Sequence, residues 1–307
     1  MINRVLIRLK VVQILYAYYK NSGKSLKAAE DEVFFSLSKA YDLYNYMLLL
    51  MDGITQYAAD RISFLSMKLR PTESDRNPNL KFVNNRFVAQ LRENAQLLKF
   101  AEKSKLNWID NSDFLRRMLD NIEASDIYNE YMNSGISSYE EDREVWRKLY
   151  KAFVFDNEEL DALLEEQSLY WNDDKAIVDT FVLKTIKRFD ENEGASQQLL
   201  PEYKDIADMD FARKLFRAAV TNAEEYRALM SDSSKNWDMS RLAFMDVVIM
   251  QVALAELMTF NDIPLSVTLN EYVEIAKHYS TAKSGSFVNG LLDTISKKLR
   301  ENGKIEK

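Results

Sequence analysis

Residues 241–258 read RLAFMDVVIMQVALAELM, and this stretch decides the fold. Its most apolar part, Val247 to Ala255, lies between Asp246 and Glu256. A helix that is apolar on every side belongs in a protein core, so we expect a central, buried helix over 241–259, with Ser240 as its candidate N-cap. The apolar run is much shorter than the roughly 18 residues that would span a membrane, so it predicts a core helix.

The rest of the chain also has helical periodicity. In the N-terminal segment, apolar residues recur three and four positions apart, which places them on one face of a helix over 2–19. Seven glycines and four prolines in 307 residues are few, which favours long helices joined by short connections. Further helices are predicted at Ser25–Leu69 (bent or broken near Gly53), 80–104, 112–133, 138–154, 157–169, 173–192, 203–230, Thr268 or Asn270 to Tyr279, and Ser286–Arg300. With no alternating strand pattern, the prediction is an all-α multi-helix bundle.

Composition limits the class of protein. Hydrophobic residues make up 47% of the chain and charged residues 29%, as in ordinary soluble domains. The chain has no cysteine, which excludes disulfides and thiolate chemistry and fits a reducing compartment. Basic residues interrupt the apolar residues of the N-terminal helix, unlike a signal peptide. We therefore expect a cytoplasmic protein.

Charge is unevenly distributed along the chain. The formal net charge is −7, yet residues 1–29 carry six Lys or Arg and no acid, whereas residues 156–174 carry eight acids and no Lys or Arg. A phosphate backbone responds to a local basic patch more than to the average charge, so the first segment is a candidate RNA surface. The alternative is that both runs are solvated helix faces.

No catalytic or metal site emerges from the residues. His278 is the single histidine, and there is no Gly-rich phosphate loop or Gly-x-Ser-x-Gly motif. Glu271, Glu274 and His278 share a helix face, but a carboxylate-bridged site needs a histidine from a second helix. We expect no enzyme, no metal and no cofactor. Asp246 and Glu256, as acids in a buried helix, are expected to pair with an arginine such as Arg241.

Several segments occur in an order that resembles one known family. They are Trp237–Asp246, Asn261-Asp-Ile-Pro264, Asn270-Glu-Tyr-Val-Glu-Ile-Ala-Lys277 and Phe287-Val-Asn-Gly290. Together with Gln13, Leu15 and Tyr16 in the first helix, they resemble the NusB family of transcription antitermination factors. The resemblance implies a helical protein without a catalytic centre. It also implies binding of single-stranded leader RNA of ribosomal transcripts together with the small ribosomal protein NusE, and indirect association with RNA polymerase.

The resemblance also implies an RNA surface. Arg4 and Arg8 fall on two arginine positions of the family, whereas Val5 and Leu6 occupy two others. We expect the first helix and the loop before the last helix to converge on one RNA face, and Arg4→Ala with Arg8→Ala to weaken RNA binding at nearly unchanged stability. The predicted RNA-binding residues are Arg4, Arg8, Lys10, Gln13, Tyr16, Tyr279, Lys283, Ser284 and Phe287. Asn289 is expected to bond buried backbone.

The chain is longer than the family core requires. We expect N-terminal helices over 1–69, a helical insertion over 70–200 and a NusB-like region over 201–307. The alternative is a helical protein–protein scaffold that has lost RNA binding. The departures at Val5 and Leu6, the net charge and the acidic run at 156–174 all favour that alternative.

Overall fold

A computed structural model describes residues 1–21, 25–171, 173–234 and 242–306. Over these residues the fold is all-α, as predicted, and an isolated β-bridge between Ile2 and Tyr203 is the one β feature. The α-helices are α1 (Arg4–Lys20), α2 (Leu26–Ser66), α3 (Glu73–Arg76), α4 (Arg86–Glu93), α5 (Ala95–Ser104), α6 (Ser112–Glu123), α7 (Asp126–Asn133), α8 (Tyr139–Leu149), α9 (Glu158–Gln167), α10 (Lys175–Arg188), α11 (Ile206–Thr221), α12 (Ala223–Ser233), α13 (Phe244–Thr259), α14 (Leu265–Tyr279) and α15 (Ser284–Glu301). A π-helix (Tyr150–Val154) extends α8, and 3₁₀ turns occupy Ile109–Asn111 and Glu191–Ser196. Within the described ranges, no helix is long and apolar enough to cross a membrane.

The chain divides into two compact units. Unit 1 comprises Met1 and Lys39–Glu202, and unit 2 comprises Ile2–Ser38 and Tyr203–Lys307. Helix α2 begins in unit 2 and ends in unit 1. The whole of residues 70–200, the predicted insertion, falls in unit 1.

Helix α13 is the centre of unit 2. It packs against α1, α11, α12, α14 and α15, and its residues from Val248 to Leu257 are buried without a gap. The prediction of a central buried helix is confirmed. The predicted cap Ser240 lies outside the described residues.

Several predicted helices are divided where a polar side chain caps the next helix. The Asn94 carboxamide oxygen accepts hydrogen bonds from the amides of Gln96 and Leu97, so the predicted helix over 80–104 becomes α4 and α5. Ser125 caps α7 in the same way and divides the segment 112–133. The segment after Pro71, between the predicted helices Ser25–Leu69 and 80–104, contains the short helix α3, which starts with a capping box at Thr72. Local hydrogen bonding thus sets boundaries that apolar periodicity does not show.

Helix α2 continues through Gly53, so a break there, one of the two predicted alternatives, is wrong. A Cβ atom added at Gly53 would lie 2.8 Å from the Cβ of Trp108, whose ring stacks on Tyr46 at 4.2 Å between centroids. The missing side chain therefore makes room for a tryptophan against the helix. This glycine serves close packing and does not interrupt the helix.

Two glycines inside helices give substitutions with opposite expected signs. Gly53→Ala should lower the free energy of unfolding by about 1–3 kcal/mol, because the new methyl group would overlap Trp108. Gly290→Ala should raise it by up to about 1 kcal/mol, because the added Cβ meets nothing within 4 Å and alanine favours helix. Urea denaturation of both variants checks the pair. Equal shifts in the same direction would contradict the packing account.

Candidate nucleic-acid interface

Helices α1 and α13 run antiparallel within unit 2. Arg8 pairs with Glu256 near the end of α13, whereas Tyr16 packs on Phe244 at its beginning. Arg4 and Tyr16 are twelve residues apart, which corresponds to about 18 Å along a helix axis. The predicted RNA-binding residues of α1 are therefore spread along the whole length of α13.

Arg8 is a buried residue. It is 3% exposed, and its Nε and Nη2 donate to Oε2 and Oε1 of the fully buried Glu256 at 2.7 and 2.9 Å. The hydroxyls of Thr268 and Tyr272 donate to the same carboxylate at 2.8 and 2.9 Å. We predicted that Arg8 presents its guanidinium to phosphate. In the structure this guanidinium is instead buried and bound to Glu256 inside unit 2. The expected arginine partner of Glu256 exists, and it is Arg8; Arg241 lies outside the described residues.

Electrostatics favour the ionised pair. Burial by itself would lower the pKa of Arg8, but the hydrogen bonds and negative charge of Glu256 outweigh it, and the pKa of Arg8 is raised. Burial, together with the charge of Glu256, raises the pKa of Tyr272 well above its ordinary value. Arg8 stays charged and Tyr272 stays a neutral donor, so the four groups form a fixed network.

Arg4 lies at the same end of α13 but is partly exposed. Its guanidinium carbon lies 4.9 Å from the ring centroid of Phe211, and its nitrogens lie 3.8 Å from carboxylate oxygens of Asp208 and Asp262. Lys10, by contrast, is 2% exposed. Of the three predicted phosphate-binding cations in α1, only Arg4 reaches the surface, and two carboxylates face it.

The C-terminal end of α1 carries a partly exposed aromatic cluster. Tyr16 and Tyr19 lie 5.3 and 6.1 Å from Phe244, measured between ring centroids, and all three rings are half-buried. The Nζ of Lys20 lies 4.7 Å from the Phe244 centroid, and the guanidinium carbon of Arg227 lies 5.1 Å from that of Tyr19. We call Tyr16, Tyr19 and Phe244 the α1 aromatic cluster. This cluster places partly exposed aromatic surface beside Lys20 and Arg227.

The loop before α15 meets this same end of α13. Ser284 is buried, and its Oγ donates to Oδ2 of Asp246 at 2.8 Å and accepts from the amide of Thr281 at 3.1 Å. Asp246 lies two residues after Phe244, in the first turn of α13. The predicted Ser284 therefore holds the loop in place and does not face solvent.

The other predicted residues of this region differ in exposure. Lys283 is exposed at the N-cap of α15, while Gln13, Tyr279 and Phe287 are half-buried. The C-terminal part of α1 and the start of α15 thus both contact the first turn of α13, through Phe244 and Asp246, whereas Arg8 pairs near the other end of α13.

Sequence reasoning missed part of this surface. Lys20, Tyr19, Phe244 and Arg227 were not among the predicted site residues. Tyr16 and Tyr19 recur three positions apart, and this spacing by itself puts them on one helix face. Phe244 and Arg227 have no such signal, because their position depends on how α12 and α13 pack against α1.

The Phe-Val-Asn-Gly string combines buried and exposed positions. Val288 is buried, but Asn289 and Gly290 are exposed. The expectation that Asn289 bonds buried backbone is therefore wrong. Its side chain lies on the outer face of α15 because it follows the core residue Val288 by one position, about 100° around the helix.

The acidic face of α14 serves ion pairs. Glu271 lies 3.7 Å from Nη1 of Arg8, Glu274 pairs with Lys277, and Nδ1 of His278 lies 2.8 Å from the carbonyl oxygen of Glu274. Over the described part of the chain, no group of three or more carboxylate, histidine or cysteine residues could hold a metal ion.

Known proteins resemble part of this chain. A family model described as the NusB family matches residues 179–297. The transcription antitermination protein NusB of Salinibacter ruber is 35% identical over 132 residues, which cover 41% of this chain and 82% of that protein. The namesake from Chloroherpeton thalassium is 35% identical over 111 residues, covering 36% of this chain and 53% of that protein. A solved structure of T. maritima NusB is 36% identical, with a TM-score of 0.29 over 38% of this chain and 72% of that one.

The match to the Salinibacter ruber protein extends over most of that protein's length at well above chance identity. The family model covers the region from within α10 to α15, which includes the central helix and the loop before the last helix. The chain therefore belongs to the NusB family.

Proposed function

We propose that this protein is an RNA-binding transcription antitermination factor. It binds single-stranded leader RNA of ribosomal transcripts together with the small ribosomal protein NusE, and it reaches RNA polymerase through that complex. Its family membership and the relatives named transcription antitermination protein NusB support this role. The mechanism is association, without a catalytic step.

The α1 aromatic cluster is the observation that carries the proposal. Unpaired RNA bases are commonly held by stacking on aromatic rings, while nearby Lys and Arg neutralise the phosphates. Tyr16, Lys20 and Lys283 supply both kinds of group at one end of α13. In this proposal Tyr16, Gln13, Tyr279 and Phe287 border the bases.

The proposal gives the remaining predicted residues different tasks. Arg8 and Ser284 position the surface, Arg8 through Glu256 and Ser284 through Asp246. Lys10 is buried behind it. Arg4 lies at the opposite end of α13, where it would meet a phosphate of a longer RNA.

The test removes two cations from the proposed surface. Lys20→Gln with Lys283→Gln should weaken binding of labelled leader RNA roughly tenfold near ~0.1 M salt, and it should reduce the log–log salt slope by about 1.4, at about 0.7 per phosphate contact. Fluorescence anisotropy at several salt concentrations, with and without NusE, measures both quantities. Adding NusE should tighten binding.

A matched control removes the same charge elsewhere on unit 2. Lys204 and Lys214 are exposed, so Lys204→Gln with Lys214→Gln changes the net charge equally. The control should bind like the unaltered protein. Equal weakening by both pairs would show that only overall charge matters and would remove the site assignment.

The second candidate function is a protein–protein scaffold without RNA binding. The burial of Arg8 and Lys10 favours it, because two of the basic residues of the first helix are unavailable at the surface. A folded protein that binds leader RNA neither alone nor with NusE would establish this alternative over the first.

A further inference from the structure

Unit 1 contains a groove with a volume of about 270 Å³ between the π-helix that extends α8 and helix α10. One wall carries Lys151 and Phe155, and the other belongs to α10. The residues that line it are Lys151, Phe155, Thr180, Leu183, Lys184 and Lys187.

Three of the six lining residues are lysines without an acidic partner. Lys151, Lys184 and Lys187 are exposed, and none forms an ion pair with any residue that the structure describes. Arg143 pairs with Glu140, Arg147 with Glu144, and Lys175 with Asp179, whereas Lys148 and Arg188 also form no ion pair with a described residue.

One groove thus brings three unpaired lysines together in a chain with a formal net charge of −7. Three like charges in one groove repel each other, and none of the residues that line the groove is acidic. An anionic ligand would relieve that repulsion. The groove therefore has the charge of an anion site.

The π-helix sets which residues line the first wall. The amide of Phe155 donates to the carbonyl of Tyr150, five residues earlier, at 3.1 Å. A single π turn adds one residue to the helical turn and is often found at functional sites. On the second wall, Thr180, Lys184 and Lys187 are four and three positions apart and share one face of α10.

A buried network locks the two walls together. The Tyr150 hydroxyl donates to Oδ1 of Asp179 at 2.6 Å, and Lys175 Nζ donates to Oδ2 of Asp179 at 2.8 Å and to the Val154 carbonyl at 2.7 Å. All four residues are buried. The groove is thus formed before any ligand arrives, which lowers the entropic cost of binding.

The walls also present aromatic surface. Phe155 lines the groove and is half-buried, and outside the lining Lys184 Nζ also lies 4.9 Å from the ring centroid of Phe181. Cations that follow a backbone, combined with aromatic rings that stack bases, are typical of surfaces for single-stranded nucleic acid. A free small anion would need the cations but not the rings.

We propose that this groove binds the phosphate backbone of single-stranded RNA, with Lys151, Lys184 and Lys187 on phosphates and Phe155 against a base. This goes beyond the proposed function, because it assigns an RNA contact to unit 1 in addition to the surface at the end of α1 in unit 2.

The test uses the full-length chain and a labelled oligouridylate of about 20 nucleotides. Lys151→Gln, Lys184→Gln and Lys187→Gln together should weaken binding at least tenfold at low salt and reduce the salt slope by about 2, at about 0.7 per phosphate. The matched control is Lys68→Gln, Lys99→Gln and Lys103→Gln, three exposed lysines of unit 1, and it should leave both values unchanged.

Phe155→Leu should weaken binding about threefold or more without altering the salt slope. Thermal unfolding confirms that each variant is folded.

The outcomes separate this proposal from the previous one. If the folded groove variant binds oligouridylate with unchanged affinity, the proposed groove site is wrong. The proposed surface in unit 2 is unaffected by that result if leader RNA binding still depends on Lys20 and Lys283. Groove-dependent oligouridylate binding without any effect of NusE on leader RNA supports the groove and removes the antitermination proposal. Inorganic polyphosphate or duplex RNA competing as well as unlabelled oligouridylate overturns the assignment to single-stranded RNA.

Discussion

Arg8→Ala should lower the free energy of unfolding by about 3–5 kcal/mol, because it leaves the fully buried Glu256 without its counter-charge. Thr268 and Tyr272 would still donate to the carboxylate, but two neutral donors do not replace a bidentate guanidinium. Urea denaturation of the variant and the unaltered protein measures the difference. The expectation from sequence alone, that removing Arg4 and Arg8 leaves stability nearly unchanged, does not fit this burial.

Two further variants make the result specific. Arg4→Ala should change the free energy of unfolding by no more than about 1 kcal/mol, because both its ion pairs are long, at 3.8 Å, and Arg4 itself is partly exposed. Arg8→Met combined with Glu256→Met, Thr268→Val and Tyr272→Phe should recover most of the loss, because it removes the charge, its partner and both buried hydroxyls together. If Arg8→Ala proves no more destabilising than Arg4→Ala, the buried pair does not form in solution.

The position of Arg8 shows where sequence reasoning ends. Arg4 and Arg8 are four residues apart, and this spacing correctly places them on a common side of one helix. The two arginines differ in burial. Arg8 faces the interior of unit 2, where it contacts Glu256 next to the hydroxyls of Thr268 and Tyr272, whereas Arg4 is partly exposed. Glu256 is 248 residues away along the chain, so no local pattern could identify the pair.

The central helix, by contrast, could be predicted because its signal is local. From Val248 to Leu257 almost every side chain is apolar, and only a position in the core removes the apolar side chains on every face of such a helix from water. Gly53 could not be interpreted from sequence, because a glycine in a helix can either interrupt the helix or leave room for a neighbouring side chain to pack closely. Only the packing of Trp108 distinguishes them.

The candidate site was partly predictable for the same reason. Tyr16 and Lys283 could be named from the resemblance to the NusB family, through the Gln-x-Leu-Tyr element of the first helix and the loop before the last helix. That both lie at one end of α13 follows from the antiparallel packing of α1 and from the Ser284–Asp246 hydrogen bond. Sequence periodicity contains neither fact.

The buried network of unit 1 allows a pH-dependent test. Burial raises the pKa of Asp179 above its ordinary value of 3.8, although Lys175 and the Tyr150 hydroxyl oppose the shift. Lys175→Met removes the charge that opposes it most, so the pKa of Asp179 should rise further. At neutral pH we expect a loss of about 3–5 kcal/mol in the free energy of unfolding, as for any buried pair that loses one partner.

The sign of the pH dependence follows from proton binding. In Lys175→Met the folded state holds a proton on Asp179 at pH values where the unfolded chain has already released it, so stability falls as pH rises through this window. The deficit relative to the unaltered protein should therefore be smallest near the ordinary Asp pKa and grow toward neutrality. Urea denaturation at several pH values between about 4 and 7 measures this trend.

In Lys175→Met with Asp179→Asn, the amide oxygen can still accept from Tyr150 but carries no charge, so most of the trend should disappear. Parallel curves for the single and double variants would mean that Asp179 is not the titrating group.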